Sequence, residues 1–206
     1  EAGAIATGLL CDPLISELDD FHAIDLGGGS MEVIIVEERT VTSTESFPLG
    51  AAVLSNRFCT DPGSPWSKQV CEDAKNYVRC FLNKADAPVL STPCSTLVGA
   101  GGTLVFLRKI LENESAGKRK ENGVLELPDS IGLFERISQM NLSQRLQSYP
   151  DLPPSRADIF PAGLLAVNEI MRYFKQTKIA HSYQNLRHGI ARKLALRPKG
   201  NFLPKN

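Results

Sequence analysis

The chain has 206 residues, 42% of them hydrophobic and 22% charged, and its 23 Lys and Arg side chains are balanced by 23 Asp and Glu. This composition predicts a globular protein of one domain or one large lobe. A zero net charge does not favour nucleic acid or an anionic membrane as partner, so any anionic ligand must be bound by local groups. Because no apolar run approaches the roughly 20 residues of a membrane span and no signal peptide is recognised, we expect a cytoplasmic protein.

Five cysteines are present, at positions 11, 59, 71, 80 and 94. Their number is odd and none has Cys-x-x-Cys spacing, which argues against a metal or redox motif. Cys71 and Cys80 lie on one predicted helix, too far apart along its axis to form a disulfide. We therefore expect reduced, mostly buried thiols, and a disulfide-stabilised secreted domain is the alternative.

Three strands and a helix are predicted in the first quarter of the chain. The segments 21–26, 31–36 and 40–47 are rich in the residue types that β-structure prefers, and a hairpin-like link joins the last two. A helix over 50–58 follows, and the turn residues of TDPGSP interrupt it. This order predicts a three-stranded meander.

Helices and strands alternate in the rest of the chain. A helix is predicted from Ser64, its N-cap, through Pro65 at its first position to about Lys84. Then follow a buried strand within 94–103, a helix over 104–111, a polar surface excursion over 112–123, a helix over 128–149, a buried helix over 159–174, a strand over 178–182 and an amphipathic helix over 185–196. The order of elements predicts an α/β fold, and residues 198–206 are expected to form a disordered tail.

The sequence DLGGGSME places a glycine cluster between the first two predicted strands. The cluster consists of Gly27, Gly28, Gly29 and Ser30. Because glycine lacks a Cβ atom, successive backbone N–H groups can approach an anion closely, and the serine adds a hydroxyl donor. Asp25 and Glu32 flank the cluster, and two carboxylates beside an anion site require a cation between them. Mg²⁺ prefers such oxygen ligands, so the loop predicts metal-assisted phosphoryl chemistry.

Two alternative structures explain the same glycines. A tight β-hairpin would use them only for its turn, but a two-residue hairpin turn needs fewer than three glycines and leaves the flanking acids unexplained. A dinucleotide-binding G-x-G-x-x-G fingerprint should open a helix, whereas β-branched residues follow here. Phosphate binding is therefore the favoured hypothesis.

A second glycine cluster, VGAGGTL, begins at Val98. We predict a strand that ends at these glycines and a helix with Thr103 as its N-cap. Gly101 and Gly102 would then lie at a helix N-terminus, where partial positive charge favours phosphate. An ordinary strand-to-helix turn is the alternative. Arg156, in the sequence SRAD, either lies near the anion or pairs with an acid.

Histidine and aromatic residues carry weaker signals. His22, His181 and His188 are scattered and match no metal-ligand spacing, so each is expected to be structural or exposed. The single Trp66 and the tyrosines are not interleaved with basic residues, which gives no support to a nucleic-acid stacking platform. We therefore expect neither a nucleic acid nor a membrane as partner.

Taken in order, these motifs resemble the exopolyphosphatase and guanosine-pentaphosphate phosphatase family of the sugar kinase, actin and heat-shock chaperone ATPase superfamily. DLGGGSMEV is the most specific motif. The others are EA…G at Glu1, Ala2 and Gly8, FPLGAAVL at 47–54, VGAGGTL, RADIFPAGLLAV at 156–167 and LRHGI at 186–190. The resemblance implies that 1–197 form the second, C-terminal lobe, with a ribonuclease-H-like mixed sheet flanked by helices. The N-terminal lobe would then be absent from this chain.

The resemblance also implies roles for individual residues. Glu1 falls on the family's catalytic base, which acts on the attacking water. Asp25 and Glu32 fall on acidic residues associated with Mg²⁺ and water, which makes both of them catalytic residues and metal ligands. The phosphate-binding residues expected from the two loops are Gly27, Gly28, Gly29, Ser30, Gly101, Gly102 and Thr103.

Three positions depart from the family pattern. Gly3 stands where the family has Arg, and Asn185 and His188 replace Gly and Glu in the last motif. Because the first lobe is absent and Glu1 lies at the chain end, we expect the isolated chain to be inactive.

The expected activity is Mg²⁺-dependent hydrolysis of terminal phosphoanhydride bonds in a bacterial cytoplasm, with polyphosphate, guanosine pentaphosphate or both as substrate. The family commonly dimerises, so a homodimer is one possible assembly. Two alternatives stay open: a non-catalytic module that binds a nucleotide such as guanosine tetraphosphate, and an ATPase of the superfamily. The carboxylates of Asp25 and Glu32 disfavour a pure binding module, because a binder gains nothing from groups that repel its ligand.

Overall fold

The structure, a computed structural model, describes residues 2–115, 123–184 and 188–191. Its sheet contains β1 (Phe21–Leu26), β2 (Met31–Glu37), β3 (Thr40–Phe47), β4 (Leu97–Ala100), β5 (Val124–Glu126) and β6 (Lys178–His181), in the order β3-β2-β1-β4-β6-β5. The first three strands form the antiparallel meander, β4 and β6 extend it in parallel, and β5 is antiparallel to β6. The predicted α/β fold with a mixed sheet is confirmed.

Helices lie on both faces of this sheet. They are α1 (Ala2–Leu9), α2 (Ala51–Phe58), α3 (Lys68–Lys84), α4 (Pro88–Ser91), α5 (Gly102–Glu114), α6 (Leu127–Ser138), α7 (Leu142–Ser148), α8 (Pro154–Ala157) and α9 (Phe160–Tyr173), with a 3₁₀ turn at Pro13–Ile15. Within the described ranges, none of them is long and apolar enough to span a bilayer.

Two hydrophobic cores form because successive side chains of a strand point to opposite faces of the sheet. Ile24 and Val33 face the larger core, to which α2, α3, α5, α6 and α9 contribute. Ala23 and Ile34 face the smaller core under α1. Asp25 follows Ala23 by two positions, so its side chain lies on the α1 face of the sheet.

The helix α9 forms the centre of the larger core. Residues 160–171 are all buried, which confirms the buried helix predicted over 159–174. Glu169 is only 2% exposed, and its carboxylate accepts hydrogen bonds from Arg79 Nε at 2.6 Å and from Arg172 Nη1. A buried carboxylate requires such partners, since an unpaired one would carry its full desolvation cost.

Several predicted boundaries are wrong. The segment predicted as one helix over 128–149 forms two helices, because Asn141 starts a new one. The Asn141 side chain accepts a hydrogen bond from the Gln144 backbone N–H, and the Gln144 side chain accepts one from the Asn141 backbone N–H. Sequence patterns also missed α1, α4, β5 and α8. Of the helix predicted over 185–196 only 188–191 are described, and these are helical. Most of the polar excursion and the tail from 198 lie outside the described residues.

The first turn of α3 is capped by a different serine from the predicted one. Ser67 Oγ accepts a hydrogen bond from the Val70 N–H at 3.2 Å. Ser64 Oγ instead donates to Asp61 Oδ2 at 2.6 Å, within the preceding turn. The backbone N–H of Trp66 donates to the Ser138 carbonyl at 2.7 Å, so the Ser-Pro pair is held outside the helix by tertiary contact.

Replacing Ser67 by Ala should therefore lower the free energy of unfolding by about 1 kcal/mol, because the N–H of Val70 loses its acceptor. Ser64→Ala is the matched control and should cost less than about 0.5 kcal/mol, since it changes only an exposed turn. Urea unfolding followed by far-ultraviolet circular dichroism measures both. Equal losses, or a larger loss for Ser64→Ala, would contradict the assignment of the cap.

All five cysteines are free, as predicted. Only Cys71 is buried, and Cys80 is exposed, so the expectation of mostly buried thiols is wrong. Partial burial raises the pKa of Cys59 and that of Cys94 to about 11 in each case. Both thiols therefore stay protonated and unreactive at neutral pH.

Candidate phosphate and metal site

The first glycine loop joins β1 to β2 and brings its two flanking carboxylates together. Asp25 and Glu32 occupy directly opposite positions in the antiparallel register, and they are 9% and 5% exposed. Side chains at such positions start about 5 Å apart on the same face of the sheet. Like charges at this separation destabilise a strand pair, so the arrangement favours a cation between them.

Two hydroxyl groups hold the Glu32 carboxylate. Ser30 Oγ donates to Glu32 Oε1 at 2.7 Å, and Ser46 Oγ donates to the same oxygen at 2.9 Å. A serine has one hydroxyl proton, so the proton of Ser30 is used here and its backbone N–H remains as a donor for an anion. Sequence reasoning missed Ser46, because no motif marks it and only the pairing of β2 with β3 places it opposite Glu32.

The loop carbonyls are bound by the start of α2. N–H groups at the beginning of that helix donate to the carbonyl oxygens of Gly27 and Gly28 at 3.0 and 2.9 Å. In a trans peptide the next N–H points away from the carbonyl, so the N–H groups of Gly28 and Gly29 face away from α2. A Cβ atom on Gly50 would overlap the Gly28 carbonyl, which explains the glycine in FPLGAAVL.

Internal packing does not require glycine at the tip of this loop. None of Gly27, Gly28 and Gly29 has a left-handed φ. A Cβ atom on Gly29 would meet nothing within 4 Å, and one on Gly28 would meet only the Ala52 Cβ, at 3.8 Å. Glycine at these positions therefore leaves open space beside two outward-facing N–H groups, which an anion could approach.

The second glycine loop lies against the first. β1 and β4 are parallel, with Asp25 opposite Ala100, so their carboxyl ends meet at one edge of the sheet. Gly101 has a φ of 99°, and a Cβ atom there would lie 2.6 Å from both Asp25 Oδ1 and the Leu26 carbonyl oxygen. The close approach of the two loops thus depends on glycine at position 101.

The helix after this loop begins differently from the prediction. Gly101, not Thr103, precedes the first residue of α5 as N-cap. Thr103 is 8% exposed and packs against α9, where a Cβ atom on Gly163 would overlap it. A small cavity between the loops is lined by residues that include Gly27, Gly102, Thr103 and Arg156.

Arg156 lies beside the second loop. A Cβ atom on Gly102 would come 3.9 Å from the guanidinium carbon of Arg156. The fully buried Arg145 holds this segment, since its Nη1 donates to the Ala157 carbonyl at 3.2 Å and to the Pro62 carbonyl at 2.8 Å. The structure therefore brings one cationic side chain to the cavity between the loops.

The carboxylate pair fits Mg²⁺ better than a transition metal. Mg²⁺ is bound by one or two carboxylates with water and phosphate as its other ligands. Structural zinc needs four protein ligands, and in the described part of the chain no group of three His, Cys, Asp or Glu residues is arranged to hold a metal. The two carboxylates of Asp25 and Glu32 are therefore a donor set that a hard cation such as Mg²⁺ accepts.

The three histidines differ in their exposure. His22 and His181 are buried, and burial lowers the pKa of both, to about 4 for His181. His188 is exposed. The expectation of structural or exposed histidines is confirmed.

The first and last motifs meet on the α1 face. Glu1, the expected base, lies outside the described residues. It directly precedes α1, which packs on β2 and β3. A Cβ atom on Gly189 would overlap the Ala4 carbonyl and lie 3.1 Å from the Gly8 backbone nitrogen, so the glycine of LRHGI allows close contact with α1.

One curated relative matches most of this chain in sequence. Exopolyphosphatase 2 of Mycobacterium tuberculosis is 29% identical over 181 residues, which cover 85% of this chain and 56% of the relative. The chain thus spans about half the length of the curated relatives it matches.

Two solved structures superpose well. The Aquifex aeolicus member of the Ppx/GppA family has a TM-score of 0.78 at 20% identity, covering 97% of this chain and 63% of that one. An exopolyphosphatase from Cytophaga hutchinsonii has a TM-score of 0.79 at 22% identity, covering 94% and 62%. This likeness shows that the chain has the same fold as these two proteins. Residues 1–197 match the sequence pattern of Ppx/GppA phosphatases, and the chain therefore belongs to the Ppx/GppA phosphatase family.

Proposed function

We propose that this chain is the second lobe of a hydrolase that releases terminal phosphate from inorganic polyphosphate. The observation that supports this proposal lies at the tip of the first loop. There the surrounding structure has room for a side chain at Gly28 and Gly29, and a pair of buried carboxylates lies next to them. We choose polyphosphate rather than guanosine pentaphosphate as the proposed substrate because the Mycobacterium tuberculosis relative is named an exopolyphosphatase.

In this proposal the two loops bind the terminal phosphoryl group. The N–H groups of Gly28 and Gly29 donate to its non-bridging oxygens, and Arg156 neutralises charge from the side of the second loop. Asp25 and Glu32 hold Mg²⁺, which when bound supplies positive charge for the phosphate oxygens and orders water.

Hydrolysis then needs one base. Glu1 is the proposed acceptor of a proton from the attacking water, whose oxygen forms a bond to the terminal phosphorus. The bridging P–O bond breaks, and its electron pair leaves with the shortened chain. This assignment rests on the family resemblance and on the position of Glu1 directly before α1.

The test is a phosphate-release assay of the natural full-length protein with polyphosphate and with guanosine pentaphosphate, each with and without Mg²⁺. We expect release from polyphosphate that requires Mg²⁺, and we expect the isolated 206-residue chain to be inactive. Calorimetric binding of a guanosine nucleotide without turnover of either substrate would instead support a binding module. Preferential hydrolysis of ATP would support an ATPase.

A further inference from the structure

Two hydrogen bonds to the Glu32 side chain go to the same carboxylate oxygen. Ser30, on the loop, and Ser46, on β3, both donate to Oε1. Among the described residues, none donates to Oε2. Rotation of a glutamate carboxylate about its last bond is normally broad, and two donors at one oxygen restrict it. The direction of Oε2 is thereby set by the two serines.

The two donors differ in rigidity. Ser30 belongs to the loop that would bind the phosphate, so its position depends on the loop. Ser46 lies on a paired strand, directly opposite Glu32 in the register. Groups on strands are held more accurately than groups on loops, so Ser46 supplies the fixed reference.

We propose that Ser46 is a positioning residue that orients Glu32 so that Oε2 is presented to the cation. The inference rests on the proposed function, in which Glu32 is a ligand of Mg²⁺. Hydrogen-bond partners of a metal-binding carboxylate commonly change metal affinity or activity by 10–100-fold, although they never touch the substrate.

The test compares Ser46→Ala with Ser46→Thr in the full-length protein. Thr44→Ala is the control, because Thr44 is an exposed residue on the same face of the same strand and has no side-chain hydrogen bond in the described ranges. For Ser46→Ala we expect kcat to fall about 10–100-fold with little change in KM for polyphosphate. The Mg²⁺ concentration for half-maximal rate should rise by a similar factor.

The conservative variant and the control separate positioning from folding. Ser46→Thr keeps a hydroxyl and should recover most of kcat, and Thr44→Ala should match the wild type. Thermal unfolding should shift by less than about 2 °C for all three variants. A wild-type kcat and Mg²⁺ requirement in Ser46→Ala would overturn the proposal.

A crystal structure of Ser46→Ala makes the inference testable apart from catalysis. We expect the Glu32 carboxylate to rotate or to leave its place beside β3. If the Glu32 carboxylate does not move in this variant, the positioning role is overturned, whatever the rate of phosphate release. Absence of phosphate release from the wild type overturns the proposed function, and the crystal structure still decides the role of Ser46.

Discussion

Glu32→Gln is expected to lower kcat/KM for phosphate release by about three orders of magnitude while leaving the fold intact. Glutamine keeps an oxygen that accepts the hydroxyl protons of Ser30 and Ser46, so the local hydrogen bonds survive. It replaces the second oxygen by an amide nitrogen, which carries no negative charge and cannot bind a cation. Initial rates with polyphosphate at saturating Mg²⁺ measure the effect.

Glu45→Gln is the matched control for this substitution. Glu45 is an exposed carboxylate on β3, opposite Val33. Its substitution removes one negative charge from the neighbouring strand and leaves the carboxylate pair unchanged. We expect wild-type rates for this variant and unchanged melting temperatures for both. A Glu32→Gln protein that releases phosphate at the wild-type rate would remove Glu32 from the mechanism.

The two glycine loops are expected to respond in opposite ways to an added methyl group. Gly29→Ala should leave stability unchanged or slightly raised, because the Cβ atom meets nothing within 4 Å and the backbone is not left-handed. The methyl group would occupy the space proposed for the phosphate, so kcat/KM should fall at least about tenfold.

Gly101→Ala should instead destabilise the fold. Its φ of 99° disfavours a side chain, and a Cβ atom would lie 2.6 Å from Asp25 Oδ1. We expect a loss of roughly 3 kcal/mol in the free energy of unfolding. Denaturant unfolding and rate assays on the same two variants check both statements. A Gly29→Ala variant with wild-type kcat/KM would show that the first loop is not the phosphate cradle.

Local patterns predicted most strands and the buried helix. The three meander strands are indicated by runs of β-branched and apolar residues that stop at glycines or turn residues. The helix α9 is indicated by apolar residues on all of its sides. The prediction of one continuous helix over 128–149 is wrong, because the reciprocal hydrogen bonds between Asn141 and Gln144 start a new helix inside an otherwise continuous helical pattern. The prediction of the capping serine of α3 is wrong because the backbone N–H of Trp66 is hydrogen-bonded to a carbonyl that is distant along the chain.

The sequence by itself determined the family and which residues form the first loop. Asp25, the glycines and Glu32 lie within one hairpin, so their proximity follows from local spacing and needs no distant contact. Only the tertiary structure decided the surroundings of this loop. Parallel pairing of β1 with β4 brings Gly101 against Asp25, the register of β3 places Ser46 on Glu32, and α8 carries Arg156 to Gly102. These neighbours are separated along the chain, and pairing and packing of whole elements, which no short motif encodes, bring them together.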